Sequence, residues 1–191
     1  MGFLPENYTP PSASGKYMKL KDGENRFRVL DKAIVGNELW VNHKPVRKPM
    51  NEKFTTDELE QADTNEDGSV RRPKHFWAFP VIDMADSTVK ILEVTQKGIQ
   101  DAIAIYDQDA DWGDPKNYDL LIKREGSGLE TSYSVIAKPA KSLSDVQKKM
   151  WNDVTEKGFD LHELFVSGDP FTPASKPQSS LQEINIDDIP F

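Results

Sequence analysis

The sequence predicts a mainly β domain, a small barrel of strands with one helix set between them. Three observations carry the prediction. Runs of alternating polar and apolar residues recur at 16–21, 25–30 and 38–43. A run apolar on both phases, His75-Phe76-Trp77-Ala78-Phe79, reads as a central strand. One stretch with helical spacing, residues 95–106, falls between the early strands and a last pair. Alternation marks half-buried strands, and spacing of three to four marks a helix face. At 191 residues the chain allows one domain with appendages.

In order, residues 1–15 hold Pro, Ser and Gly without periodicity and read as a flexible arm. Residues 16–21 and 25–30, joined by Asp22-Gly23, predict a hairpin. In its second strand Phe27 and Val29 face one side and Arg26 and Arg28 the other. In the third run Leu39 and Val41 point inward and Trp40 outward. Trp40 reads as a stacking platform or as cover for a core edge. Residues 44–49 follow as a basic loop carrying Lys44, Arg47 and Lys48. Residues 50–72 are polar and turn-rich and predict a mobile insertion, with a short helix over 52–59. Asp63, Asn65 and Asp67 imitate a calcium loop, but Arg71 and Lys74 stand at its ninth and twelfth positions, so no calcium site is expected.

Basic and aromatic residues interleave most densely from Arg71 to Phe79. A strand there puts Phe76, Ala78 and Ile82 on one face and His75, Trp77, Phe79 and Val81 on the other. One face can fill the core while the other meets bases, or both can be core. Residues 88–94 form the next strand. A helix follows, with Ile99, Ala102, Ile103 and Tyr106 on one face and Thr95 as N-cap. Asp107, Asp109, Asp111 and Asp114 invite a metal-dependent nuclease reading, whereas Trp112-Gly113-Asp114-Pro115 argues for a solvated turn. Residues 118–124 and 129–138, joined by Glu125-Gly-Ser-Gly128, form a hairpin. A helix is predicted over 141–158, capped by Ser144, with a stripe of Val146, Met150, Trp151 and Val154, and a further turn over 160–165. Gly168-Asp169-Pro170 closes the folded part.

Three strands, a helix and two strands is the order of the OB fold, a five-stranded Greek-key barrel that binds oligonucleotides. The expected organisation is an arm at 1–15, the barrel at 16–140 with its insertion at 50–72, a helical segment at 141–167, and a linker with an acidic tip at 168–191. The net charge of −8 alone argues against nucleic acid, but residues 16–48 carry nine Lys or Arg against four acids. With no cysteine, disulfides, thiol catalysis and Cys-based zinc sites are excluded, and a reducing cytoplasm is expected. No cofactor or metal is expected. No apolar run is long enough to span a membrane. Met1-Gly-Phe-Leu-Pro5 lacks the basic and apolar regions of a secretory leader.

The chain closes on Ile186-Asp187-Asp188-Ile189-Pro190-Phe191, two carboxylates beside a small apolar hook, after a Pro-, Ser- and Gln-rich stretch that reads as a tether. Asp187, Asp188, Ile189, Pro190 and Phe191 resemble the C-terminal tip of bacterial single-stranded DNA-binding proteins. Tyr17-Met18-Lys19-Leu20, Gly23-Glu24-Asn25-Arg26-Phe27-Arg28, Asp114-Pro115, Tyr118-Asp119-Leu120, Lys123-Arg124, Gly126-Ser127-Gly128-Leu129 and Tyr133 resemble their bacteriophage-encoded OB-fold relatives. The resemblance implies a non-enzymatic protein that binds and protects single-stranded DNA with little sequence preference. It also implies that the tip recruits replication, recombination and repair proteins such as polymerase, helicase, primase or nuclease, in a host cytoplasm and as a possible homo-oligomer. One phage branch carries core zinc, which a chain without cysteine does not share. Arg26, Arg28, Lys44, Arg47, Lys48, Arg72, Lys74, Lys123 and Arg124 are the expected phosphate contacts. Trp40, Trp77, Phe79 and Tyr133 are the expected stacking residues. The alternatives are the Asp107–Asp114 nuclease and a non-DNA adaptor that mimics the tip.

Overall fold

A computed structural model of the chain describes residues 15–173. It is mainly β, built on one eight-stranded sheet. The strands are β1 (Tyr17–Met18), β2 (Gly23–Val29), β3 (Ile34–Val41), β4 (Lys44–Pro49), β5 (Lys74–Asp83), β6 (Thr88–Val94), β7 (Asp119–Glu125) and β8 (Ser132–Ala137). The helices are α1 (Thr56–Glu60), α2 (Lys97–Gln108) and α3 (Asp145–Glu156), followed by a 3₁₀ segment at Leu161–Val166. The pairing path runs β1-β6-β5-β2-β7-β8, with β3 on β5 and β4 on β3. The sheet does not close: among the described residues β8 pairs only with β7. None of the described helices is long and apolar enough to cross a membrane.

β5 is central because both of its phases are apolar. Phe79 and Val81 enter one core with Phe27, Leu92, Ile99 and Leu120. Phe76 and Ala78 enter a second with Ile34, Ile91, Leu161 and Leu164. Its length also lets it serve two partners on one edge. Residues 74–78 pair with β3 and 81–83 with β2, so β2 and β3 act as one bent strand. The second core forms because residues 159–171 fold back over it, with Phe159, Phe165 and Phe171 packed against it. Gly36 permits that approach. A Cβ there would run into the Lys48 carbonyl and meet Phe165 and Phe76 at 3.0 Å.

Four expectations need correction. Residues 16–21 do not hairpin onto β2; β1 runs parallel to β6 through Tyr17↔Ile91 and Met18↔Leu92. The Asn25 side chain accepts from the Lys21 amide at 2.8 Å and donates to the Lys21 and Gly23 carbonyls, closing a local loop instead of a ladder. The free edge of β2 is taken by β7, from Gly23↔Arg124 to Arg28↔Asp119. The basic loop at 44–49 is strand β4, turned off β3 at Asn42-His43, both in the left-handed region (φ 49° and 62°) that a tight two-residue hairpin demands.

The insertion at 50–72 is folded against β3. Thr55 and Glu58 form a capping box that starts α1 at Thr56, and the Asp63 amide donates to the Trp40 carbonyl at 2.8 Å. The Asp63 carboxylate accepts from the His43 amide in the β3–β4 turn, and that of Asp67 accepts from the Ser69 amide within its own turn. Finally, where a five-stranded barrel is expected, the described residues form an open sheet of eight strands. β8 begins only at Ser132, because Gly128–Glu130 form a 3₁₀ turn. The remaining elements fall near their expected places. α2 starts after Gln96, not Thr95, and buries Ile99 and Ile103. α3 starts at Asp145 after a Ser144–Gln147 capping box, with Val146 left exposed.

Candidate nucleic-acid interface

The structure gathers aromatic and basic side chains most closely around Trp40. Strand alternation on β3 buries Leu39 and turns Trp40 outward, 37% exposed. The indole Nε1 donates to Glu38 Oε1 at 2.9 Å. The Arg71 guanidinium carbon lies 5.6 Å from the ring centroid. Two backbone bonds bring Arg71 there: Asp63 donates to the Trp40 carbonyl and Arg71 donates to the Asp63 carbonyl, each at 2.8 Å. Arg72 and Lys74 stand beside the pair around a cleft of about 220 Å³. Neither forms an ion pair among the described residues, and both are exposed. Lys44, also exposed, faces Val41 next to Trp40. Arg71 lay in the expected basic run, but its stacking role was hidden because 30 residues separate it from Trp40.

Glu38 is itself held from beneath. Arg47 Nη2 lies 2.9 Å from Glu38 Oε2 and 2.6 Å from Glu93 Oε2, with all three side chains largely buried. Neither oxygen makes an aligned hydrogen bond, so the attraction is chiefly Coulombic. Burial, foremost, and the neighbouring Glu38 push the Glu93 carboxyl up to about 7 against the pull of Arg47.

The other candidates divide. Arg47 and Arg28 were expected at phosphates, yet both are engaged inside the fold. Arg28, with its side chain 3% exposed, contacts Asp119 at 2.6 Å and donates to the Lys141 carbonyl at 2.7 Å. Phe79 was expected to stack on bases. It lies in the first core, its centroid 6.3 Å from that of Phe27, because its phase on β5, shared with Val81, faces that core. Arg26 shares Asp119 but stays half exposed. Lys48 pairs with Glu58 at 2.6 Å and Lys123 with Glu125 at 2.8 Å. Arg124 donates to the Leu20 carbonyl at 3.2 Å, and Tyr133, opposite it on β8, packs on the first core.

Trp77 does not share a surface with Trp40. It pairs with Val35, whereas Phe76 pairs with Gly36, on the side of Glu38 and Trp40, so the two indoles lie on opposite faces of the β3–β5 ladder. The Trp77 indole donates to His75 Nε2 at 3.0 Å, and His75 Nδ1 lies 2.9 Å from the Gly36 carbonyl. This pattern fits the tautomer with its proton on Nδ1. Trp77 and Phe79 floor a second cleft of about 590 Å³, with Lys32 and Lys116 on a rim that also carries Asp31, Asp107 and Asp114.

The acidic turn is bonded to itself. Asp109 accepts from the Asp111 and Trp112 amides, Asp114 from the Lys116 amide, and the Tyr118 hydroxyl donates to the Gly113 carbonyl. Trp112 packs edge-on against Tyr106 and Tyr118. Burial and the nearby Asp107 and Asp114 push the Tyr118 hydroxyl up to about 12. Among the described residues no three His, Asp or Glu side chains are grouped to hold a metal ion. The tip residues Asp187, Asp188, Ile189, Pro190 and Phe191 lie outside the described residues.

No family model matches the chain, and searches of curated proteins and of solved structures find no match either.

Proposed function

We propose that the protein binds single-stranded DNA with little sequence preference and protects it, acting as a non-enzymatic OB-type domain. The observation that carries this reading is the Trp40–Arg71 pair with Arg72 and Lys74 at its rim. An exposed indole stacks on any base, a guanidinium plane can do the same, and adjacent unpaired cations attract the backbone without reading sequence. The strand path supports the OB reading. Counting β2 and β3 as one bent first strand, β6-β5-β2-β7-β8 is the order three-two-one-four-five, with α2 between the third and fourth. The acidic run Asp187-Asp188-Ile189-Pro190-Phe191 would then recruit replication, recombination and repair proteins to the coated strand. In this reading the protein is phage-encoded and works in the cytoplasm of a bacterial host.

Titration of the full chain with oligo-dT, followed by tryptophan fluorescence at two salt concentrations, tests the reading. Quenching is expected, with affinity falling at a log–log slope of about −0.7 per phosphate contacted. No quenching, or a flat salt profile, overturns it.

A further inference from the structure

A second cluster of cations lies at the other end of β5. Lys74 begins that strand and Met84 follows its last residue, so at about 3.3 Å per residue the two ends stand roughly 30 Å apart. Around Met84 a cavity of about 480 Å³ opens between β2, β7 and the chain leading into α3. That volume falls within the range of roughly 300–1,000 Å³ typical of ligand clefts.

Its lining carries Arg26, Arg28, Lys138 and Lys141 against Glu24 and Asp119, four positive charges and two negative. Asp119 is the one carboxylate shared by both guanidiniums. It accepts from Arg26 at 2.9 and 2.6 Å and meets Arg28 at 2.6 Å. One anion between two cations leaves a surplus of positive charge.

The two lysines stand on a fixed backbone. The Lys138 amide donates to the Asp119 carbonyl at 2.9 Å, the Lys141 amide to the Asn117 carbonyl at 3.1 Å, and Arg28 Nη1 to the Lys141 carbonyl at 2.7 Å. Neither lysine forms an ion pair among the described residues. Among the described residues no aromatic ring lines the cavity, so they offer a base nothing to stack on. A half-exposed guanidinium edge with two ammonium groups suits the charge and geometry of a phosphate oxyanion.

We infer that this cavity is a phosphate site, and that its occupant is a backbone phosphodiester of the same single strand several nucleotides beyond the Trp40 patch. The source of the phosphate rests on the function proposed above; the phosphate chemistry does not. The path from the patch to the cavity would account for why a chain of charge −8 keeps two unconnected clusters of unneutralised cations.

The test uses the full chain and the variant Lys138→Gln/Lys141→Gln, whose side chains lie at the rim. Lys97→Gln/Lys157→Gln serves as a charge-matched control, its residues lining neither cleft. Pyrophosphate, compared with sodium chloride at matched ionic strength, should raise the thermal midpoint of wild type and control but not of the rim variant. Long oligo-dT should bind wild type and control more tightly than short oligo-dT. The rim variant should lose that gain and show a salt slope shallower by about 0.7 for each phosphate lost.

Wild-type behaviour of the rim variant in both assays overturns the inference and leaves the proposed function standing. Loss of the pyrophosphate effect with unchanged long-oligonucleotide binding supports a phosphate site and overturns the phosphodiester as its occupant. If wild type binds no oligonucleotide while the pyrophosphate effect depends on Lys138 and Lys141, the proposed function falls and the phosphate site remains.

Discussion

Two arginine clusters use the same chemistry in inverse proportion. At one end of β5, Arg47 stands between two acids, Glu38 and Glu93. At the other, Asp119 stands between Arg26 and Arg28. The first cluster is largely buried and holds two acids against one cation, and burial first, then the neighbouring Glu38, pushes Glu93 up to about 7. The second opens on a cavity and carries an excess of positive charge. A buried ion pair is weak evidence of net stabilisation, because desolvation offsets much of the Coulombic gain. The ratio of partners is therefore more informative than the number of pairs. One cation shared by two acids has no charge left for a ligand, and one acid shared by two cations does.

The sharpest way to break the comparison is to remove the lone cation. Arg47→Met leaves Glu38 and Glu93 buried side by side without a counter-ion. Breaking a buried pair by removing one partner costs about 3–5 kcal/mol. Urea unfolding near neutral pH should show a loss of that order. A loss below about 1 kcal/mol, the level of an exposed pair, would mean that water already reaches the cluster and that it is not structural.

A smaller effect is expected above this cluster, on the side that faces solvent. Trp40→Ala removes the ring that lies against Arg71 and donates to Glu38. Base–aromatic stacking contributes about 1–3 kcal/mol per base, so affinity for oligo-dT should fall by that amount, measured under conditions where the variant remains folded. Trp77→Ala, on the opposite face of the ladder, should leave short oligonucleotides bound as before. Equal losses in both variants would show that the strand contacts both faces, and the Trp40 patch would lose its special place.

How far these sites can be read in the sequence depends on the kind of signal. The central place of β5 is legible because Phe76, Ala78, Phe79 and Val81 make both phases apolar. The outward turn of Trp40 follows from alternation with Leu39. The strand character of β4 is not legible, because Lys44, Pro45, Arg47, Lys48 and Pro49 read as loop chemistry. That strand exists because β3 offers it an edge and the left-handed Asn42-His43 turn returns the chain. The burial of Arg28 and Arg47 is hidden for a related reason. Sequence shows a charge but not the distant acid that neutralises it, and Asp119 and Glu93 lie 91 and 46 residues away. The cavity at Met84 was missed because its cations come from β2 and from the chain after β8, which no local window joins.

The last expected effect is one of pH, and it sharpens the contrast between the clusters. Glu93 has its folded-state value raised from an ordinary 4.5 to about 7, by burial first. Between those values the native state holds a proton that the unfolded chain has released. Stability contributed by this group is therefore present below about pH 4.5 and declines as pH rises through about 7. Glu93→Gln cannot release a proton and leaves Arg47 paired one-to-one with Glu38. Its midpoint of thermal unfolding should gain on wild type as pH is raised from about 5 to about 8. A difference between the two proteins that stays constant across that range would show that Glu93 is ionised throughout. The first cluster, one Arg47 against two ionised acids, would then keep a net charge of −1 down to about pH 5, with no bound proton to balance it.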